Sequence, residues 1–339
     1  MKQVDFGPLR RWTSKGLELS NGAGETFHSA DDTNSFTMLV GRAVAHIDPR
    51  LVIDLGCGCG IPTIEAAARG ALAVQGVDIS EANAALARRN VSRARLDGRV
   101  GVHCADWREL LHEARPDLLV SNPPYVPQGA HPTVNGGPDG ADVVRAMIDA
   151  VPDSTRGVAL LFGSISNPVS VVQHIEERGW RVGWLSCHGV PFGLYTSRPA
   201  TVVALRALQR EGRAWFHEAE LGSGSALRTY VVFGLIAERG KPGNSLADAM
   251  TCLLVRFQRH GWKALQDVVL PVPFDCGTYR AATLPENAAY SFLDATVGKH
   301  DVMTAARHGA EAFDEAESMT GAPGALAVDP GVLLSDSAS

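Results

Sequence analysis

No stretch of the sequence holds the roughly 18 consecutive apolar residues that a bilayer span needs, and its opening, MKQVDFGPLRRW, lacks the apolar centre of a signal peptide. A cytoplasmic protein without a membrane partner is the expectation. There is no CxxC pair. The cysteines, Cys57, Cys59, Cys104, Cys187, Cys252 and Cys276, are scattered, with no histidine near them at zinc spacing, so neither a disulfide framework nor a metal centre is expected. Positive charge is not in excess either. A formal net charge of -6 gives no broad attraction to phosphate backbones, and nucleic acid is not an expected partner. The basic run ARRNVSRAR (87–95) reads as the solvated face of a helix.

What remains is an ordinary globular composition, 45% apolar and 20% charged, in 339 residues, enough for one large α/β domain with additions or for two domains. Apolar, β-branched runs alternate with helical patterns. Strands are expected at 51–55, 72–79, 100–105, 117–121, 157–163, 181–187 and 229–238, with helices at 61–69, 81–95, 140–150 and 168–178 between them. Such alternation predicts a doubly wound, mainly parallel seven-stranded sheet covered on both faces. Residues 1–48 form a leading segment whose helical pattern covers 35–47, and 49–238 form the main domain. An insertion at 188–227, between the sixth and seventh strands, is a candidate lid. Residues 239–318 form a C-terminal extension with a helix at 246–260, a candidate surface for self-association, and 319–339 read as a mobile tail.

Four strand ends carry chemistry. DLGCGCG (54–60) closes the first strand and opens a helix; Gly56, Gly58 and Gly60 permit a tight turn and close approach of a ligand, with Asp54 at its start. The GxGxxG spacing of a dinucleotide site is not met, because Ile61 stands where Gly or Ala is wanted. Asp78 ends the second strand, where a carboxylate can accept two ribose hydroxyls. Asp106 and Trp107 follow the third, placed for the edge and face of an adenine. Each acid alone is equally well explained as a strand-end polar residue or a helix cap. Cys57 and Cys59 read as small residues of the turn.

The fourth strand end is SNPPYVP (121–127), a core strand finished by an asparagine, two prolines that stiffen the loop, and a tyrosine. Together VIDLGCGCG, VDIS, ADW and SNPPY resemble the class I S-adenosylmethionine-dependent methyltransferases. They are most similar to the NPPY branch that includes the HemK-like protein-glutamine N-methyltransferases and amino-methylating adenine enzymes. GGPDGADVVRAMIDAVP (136–152) is similar to the segment after NPPY in the HemK-like group. The resemblance implies S-adenosylmethionine as cofactor and a Rossmann-like fold. It also implies that Asn122 and the carbonyl of Pro123 accept the two N–H bonds of a planar nitrogen while Tyr125 stacks on it. SADDTN resembles the segment before the leading helix in that family, which places Asp32 and Thr33 beside the cofactor or at a helix cap.

The expected acceptor is a guanidine or amide nitrogen of a small molecule, with free arginine as the concrete case. Glu25, Asp31, Asp32, Glu218 and Glu220 are candidates to hold a cation. The alternative is protein glutamine N5-methylation, followed by adenine N6-methylation; a non-catalytic nucleotide-binding protein that kept the fold is the reading from another class.

Overall fold

The computed structural model describes residues 11–14, 17–20, 30–129, 131–193, 195–221, 225–240, 246–261, 265, 270, 272 and 274–276. Glu25, Asp31's side chain and the 319–339 tail lie outside them, as does most of the C-terminal extension. A two-stranded antiparallel ribbon, β1 (Arg11–Ser14) and β2 (Leu17–Ser20), precedes helix α1 (Ala30–Ile47). Then come β3 (Leu51–Leu55), α2 (Ile61–Arg69), β4 (Ala73–Asp78), α3 (Glu81–Arg93), β5 (Val100–Cys104), α4 (Trp107–Glu113), β6 (Leu118–Ser121), α5 (Asp142–Ala150), β7 (Gly157–Gly163) and α6 (Pro168–Glu177). The chain continues through β8 (Trp180–Pro191), α7 (Pro199–Arg210), β9 (His217–Leu221), β10 (Ser225–Arg239), α8 (Leu246–His260) and β11 (Phe274–Cys276).

The expected seven strands are contiguous in the sheet, in the order β8-β10-β7-β6-β3-β4-β5 with β5 at one edge. Only β10 among them runs antiparallel to its neighbours. β11 adds to the outer edge of β8 and β9 pairs with β10. Period-two alternation sorts the strand side chains between two cores. Val52, Leu118, Val120, Ala159 and Leu161 face α1 and α2, whereas Ile53, Leu119, Val158, Leu160 and Phe162 face α5, α6 and α8. No described helix is long and apolar enough to cross a membrane.

Three boundaries differ from expectation, each for a physical reason. α1 begins at Ala30, so the polar ADDTN is its first turn and not a flanking cap; no apolar periodicity marks those positions. β8 runs to Pro191, carried by its pairing with the long β10 (Pro191 opposite Thr229), although Gly189 and Pro191 hide the strand in the sequence. The insertion therefore starts after the strand, and it contributes α7 and β9. The C-terminal extension begins as part of the same domain, because α8 buries Leu246, Met250, Leu253, Leu254 and Phe257 in the core shared with α6.

Candidate active site

The ends of the parallel strands β3, β4, β5 and β6 lie side by side, and each sends a loop over the same edge of the sheet. The β3 loop needs its glycines for backbone reasons. Gly56, Gly58 and Gly60 have φ of 73°, 53° and 77°, the left-handed region that side chains rarely adopt. Gly60 is doubly constrained, since a Cβ there would sit 2.9 Å from that of Ala87 on α3. Three anchors fix the loop: Gly56 N–H and Cys57 N–H donate to Val77 O, Asn90 Nδ2 donates to Cys59 O, and Gly58 N–H donates to Asp78 Oδ2 at 2.9 Å. Cys57 packs against Gly76 of β4. Burial pushes both loop thiols up, Cys59 to about 11, so they stay protonated and fill space.

Asp54 is fully buried. Its Oδ2 accepts from Thr63 Oγ1 at 2.6 Å, and its Oδ1 has no partner. Burial raises its pKa to about 7, opposed by the Thr63 bond and reinforced by the nearby Asp78 carboxylate. Asp78 Oδ1 accepts from Ser80 N–H and Asn83 Nδ2, so this carboxylate is held at the mouth of the loop. Beside it Ile79 is 77% exposed, a large apolar side chain standing out from a strand end. VDIS shows that isoleucine in the sequence, but not that it faces outward. Asp106 caps α4 through Arg108 N–H and pairs with the Arg108 guanidinium at 3.1 Å. That guanidinium also lies 4.4 Å from the centre of the Trp107 ring. Arg108 is thus engaged with both the Asp106 carboxylate and the Trp107 ring, the groups expected to meet an adenine.

At the end of β6, Ser121 Oγ donates to Leu55 O and ties the NPPY loop to β3. Asn122 Oδ1 is buried with no donor. The loop is folded back by Val126 N–H to Val134 O and Gly136 N–H to Val126 O. Gly140, with φ of 82°, lets the chain pass Tyr125: a Cβ there would fall 2.5 Å from the Tyr125 carbonyl. The next residue upstream is a hub. Buried Asp139 accepts from Arg145 at 2.6 Å, Asn167 at 2.7 Å, Arg213 at 2.9 Å and Ala141 N–H at 3.1 Å, joining the loop to α5, α6 and the insertion. Burial alone would raise this carboxyl, but the bonds from Arg145, Asn167 and Arg213 outweigh it and hold it far below the usual range.

Tyr125 is buried, with one ring edge against Gly163 of β7. Its hydroxyl donates to Asp32 Oδ2 at 2.9 Å and lies 3.2 Å from that of Tyr230 on β10. One turn further along α1, Ser35 Oγ bonds His188 Nε2 of β8 at 2.9 Å. Burial lowers this histidine's pKa to about 3 and keeps it neutral. The structure therefore brings Asp32 and Tyr125 together, with Asn122 three residues before Tyr125 on the same loop. Thr33 is engaged through its carbonyl, which accepts from Thr37 Oγ1. Among the described residues, the other two candidate acids lie on the β9 strand. Glu218 accepts from both Arg206 and Arg228, so its charge is already matched, and Glu220 stands opposite Ala226 further along the β9–β10 hairpin. Tyr230, His188 and Asn90 are contributors that local sequence does not reveal, since each acts across more than thirty residues.

Residues 26–136 match the family model described as methyltransferase small domain. The ribosomal protein uL3 glutamine methyltransferase of Bradyrhizobium diazoefficiens is 39% identical over 115 residues, covering 30% of this chain and 36% of that protein. A putative protein N5-glutamine methyltransferase of Methanocaldococcus jannaschii is 24% identical over 182 residues, 50% of this chain and 87% of that protein. The tRNA1(Val) (adenine(37)-N6)-methyltransferase of Yersinia pestis is 36% identical over 92 residues, 26% and 37% of the two chains. The chain thus spans little more than a third of the uL3 and tRNA enzymes it matches. Among solved structures, an S-adenosylmethionine-dependent methyltransferase from Agrobacterium tumefaciens aligns with a TM-score of 0.44 at 18% identity, covering 69% of this chain and 71% of that one. The residues here fit S-adenosylmethionine. A glycine turn with open space over Gly56 and Gly58, an acid at the next strand end and a buried Asp54 oxygen without a donor suit a ligand with ribose hydroxyls and an amino group.

Proposed function

We propose that the protein is an S-adenosylmethionine-dependent N-methyltransferase acting on the side-chain amide of glutamine in a protein. The observation that carries this reading is the buried, donorless Asn122 Oδ1, on the same loop as the buried Tyr125. An uncompensated buried acceptor is costly, on the order of 1–3 kcal/mol, unless a ligand brings the donor. A primary amide has two N–H groups. Asn122 Oδ1 takes one and the Pro123 carbonyl the other, which turns the nitrogen lone pair toward the methyl donor. S-adenosylmethionine supplies a methyl on a sulfonium, a good leaving group. With it bound, the sulfonium would give up its methyl as the N–CH₃ bond formed, and one amide proton would pass to water. Tyr125 would cover the amide plane, and Asp78 would hold the ribose. Much of the acceleration is orientation.

Free arginine is favoured less: a guanidinium needs a carboxylate to grip it, and of the candidates Glu218 is already bound by two arginines and one oxygen of Asp32 by Tyr125. Two relatives named for glutamine methylation favour the amide. One of them is matched over 87% of its length. The test is labelled-methyl transfer from S-adenosylmethionine to ribosomal and release-factor proteins, free arginine, free glutamine and tRNA. N5-methylglutamine in protein hydrolysate is expected; label confined to arginine or to adenine would overturn the substrate.

A further inference from the structure

We propose that Asp32 is a positioning residue, acting on the reaction through the hydroxyl of Tyr125 and not through contact with the substrate. The geometry has a fixed direction. Tyr125 donates its single hydroxyl proton to Asp32 Oδ2, so the 3.2 Å contact with Tyr230 is filled by the proton of Tyr230. The resulting chain, Tyr230 to Tyr125 to Asp32, joins β10, the NPPY loop and α1, and bonds in such a chain polarise one another. All three residues are buried.

The carboxylate is placed independently of the tyrosine it holds. Ser35, on the same face of α1, is bonded to His188 of β8, and Phe36, Leu39 and Val40 sink into the core below. The start of α1 is therefore docked by its own contacts, and Asp32 is preset when Tyr125 arrives. At the opposite edge of the ring Gly163 allows close approach; a Cβ there would be 3.1 Å from Cδ2 and Cε2. Tyr125 is thus located at its backbone, at one ring edge and at its hydroxyl. A misplacement of the ring by a fraction of an ångström loosens the amide held between it and Asn122. The inference rests on the proposed methyl transfer.

The test is a double-mutant cycle with kinetics and ¹³Cζ-tyrosine NMR on the full chain. Asp32→Ala is expected to shift the Tyr125 and Tyr230 Cζ signals and to lower kcat about tenfold, which is ~1.4 kcal/mol, with KM for S-adenosylmethionine unchanged. Asp32→Asn keeps an acceptor oxygen and should recover most of the rate, which a variant that had only damaged the fold would not do. In a Tyr125→Phe background Asp32→Ala should cost nothing further. The proposal is overturned if Asp32→Ala costs the same factor with and without the Tyr125 hydroxyl, if it raises KM for the methyl acceptor alone, or if the Cζ signals do not move. The cycle is run on whichever acceptor the labelled methyl identifies. Label on adenine would replace the substrate reading, while the Asp32 coupling would stand or fall on the same numbers.

Discussion

Thr63 donates to Asp54 Oδ2 at 2.6 Å, and this bond from the first helix to the first strand of the domain leaves the second carboxylate oxygen buried without a donor. Because burial raises Asp54 to about 7, the carboxyl is largely protonated below that pH. A cationic amino group placed against it favours the ionised form. S-adenosylmethionine binding at pH 6 should therefore release close to one proton, and the release should fade as pH rises past 7. Calorimetry in buffers of different ionisation enthalpy measures this directly, and Asp54→Asn should abolish it. The same shift predicts that the ligand-free fold loses stability as pH rises from about 4 to about 7, where the unfolded chain is ionised and the folded Asp54 is not.

Asp139 should behave as a structural hub. Asp139→Ala leaves the Arg145 and Arg213 guanidiniums without their shared acceptor and should cost about 3 kcal/mol in denaturant unfolding. Since this carboxyl is held below its usual range, its stabilisation is complete above about pH 4 and disappears as pH falls further. Acid unfolding that is the same in wild type and Asp139→Asn would count against that role.

Gly60→Ala combines a left-handed backbone with a collision against Ala87. A cost of about 2 kcal/mol or more is expected, with weaker S-adenosylmethionine binding because the loop and α3 must separate. Gly70→Ala, at a helix end where an added Cβ meets nothing within 4 Å, should leave S-adenosylmethionine binding intact. Thermal melts with and without ligand separate the two effects.

The parts of the site that were legible in the sequence are those where the backbone itself is constrained. Three glycines at positive φ and two consecutive prolines can be read locally, and they mark the ends of β3 and β6 in the right places. Alternating apolar runs gave the strands from β3 to β7 because a parallel sheet buried on both faces needs them. Interactions between distant segments were not legible. Nothing in ADDTN announces that Asp32 meets a tyrosine 93 residues away, and its polarity hid the first turn of α1. Glu218 looked free to hold a cation only because Arg206 and Arg228, which neutralise it, belong to the neighbouring helix and strand.

The central claim is that one planar nitrogen is held by Asn122. Methyl transfer to glutamine-containing protein by Asn122→Ala tests it most directly, alongside S-adenosylmethionine affinity. The account predicts a rate lower by about 100-fold, the scale of losing one oriented polar contact in a transition state, with cofactor affinity close to wild type. Methyl transfer at the wild-type rate by Asn122→Ala would contradict it.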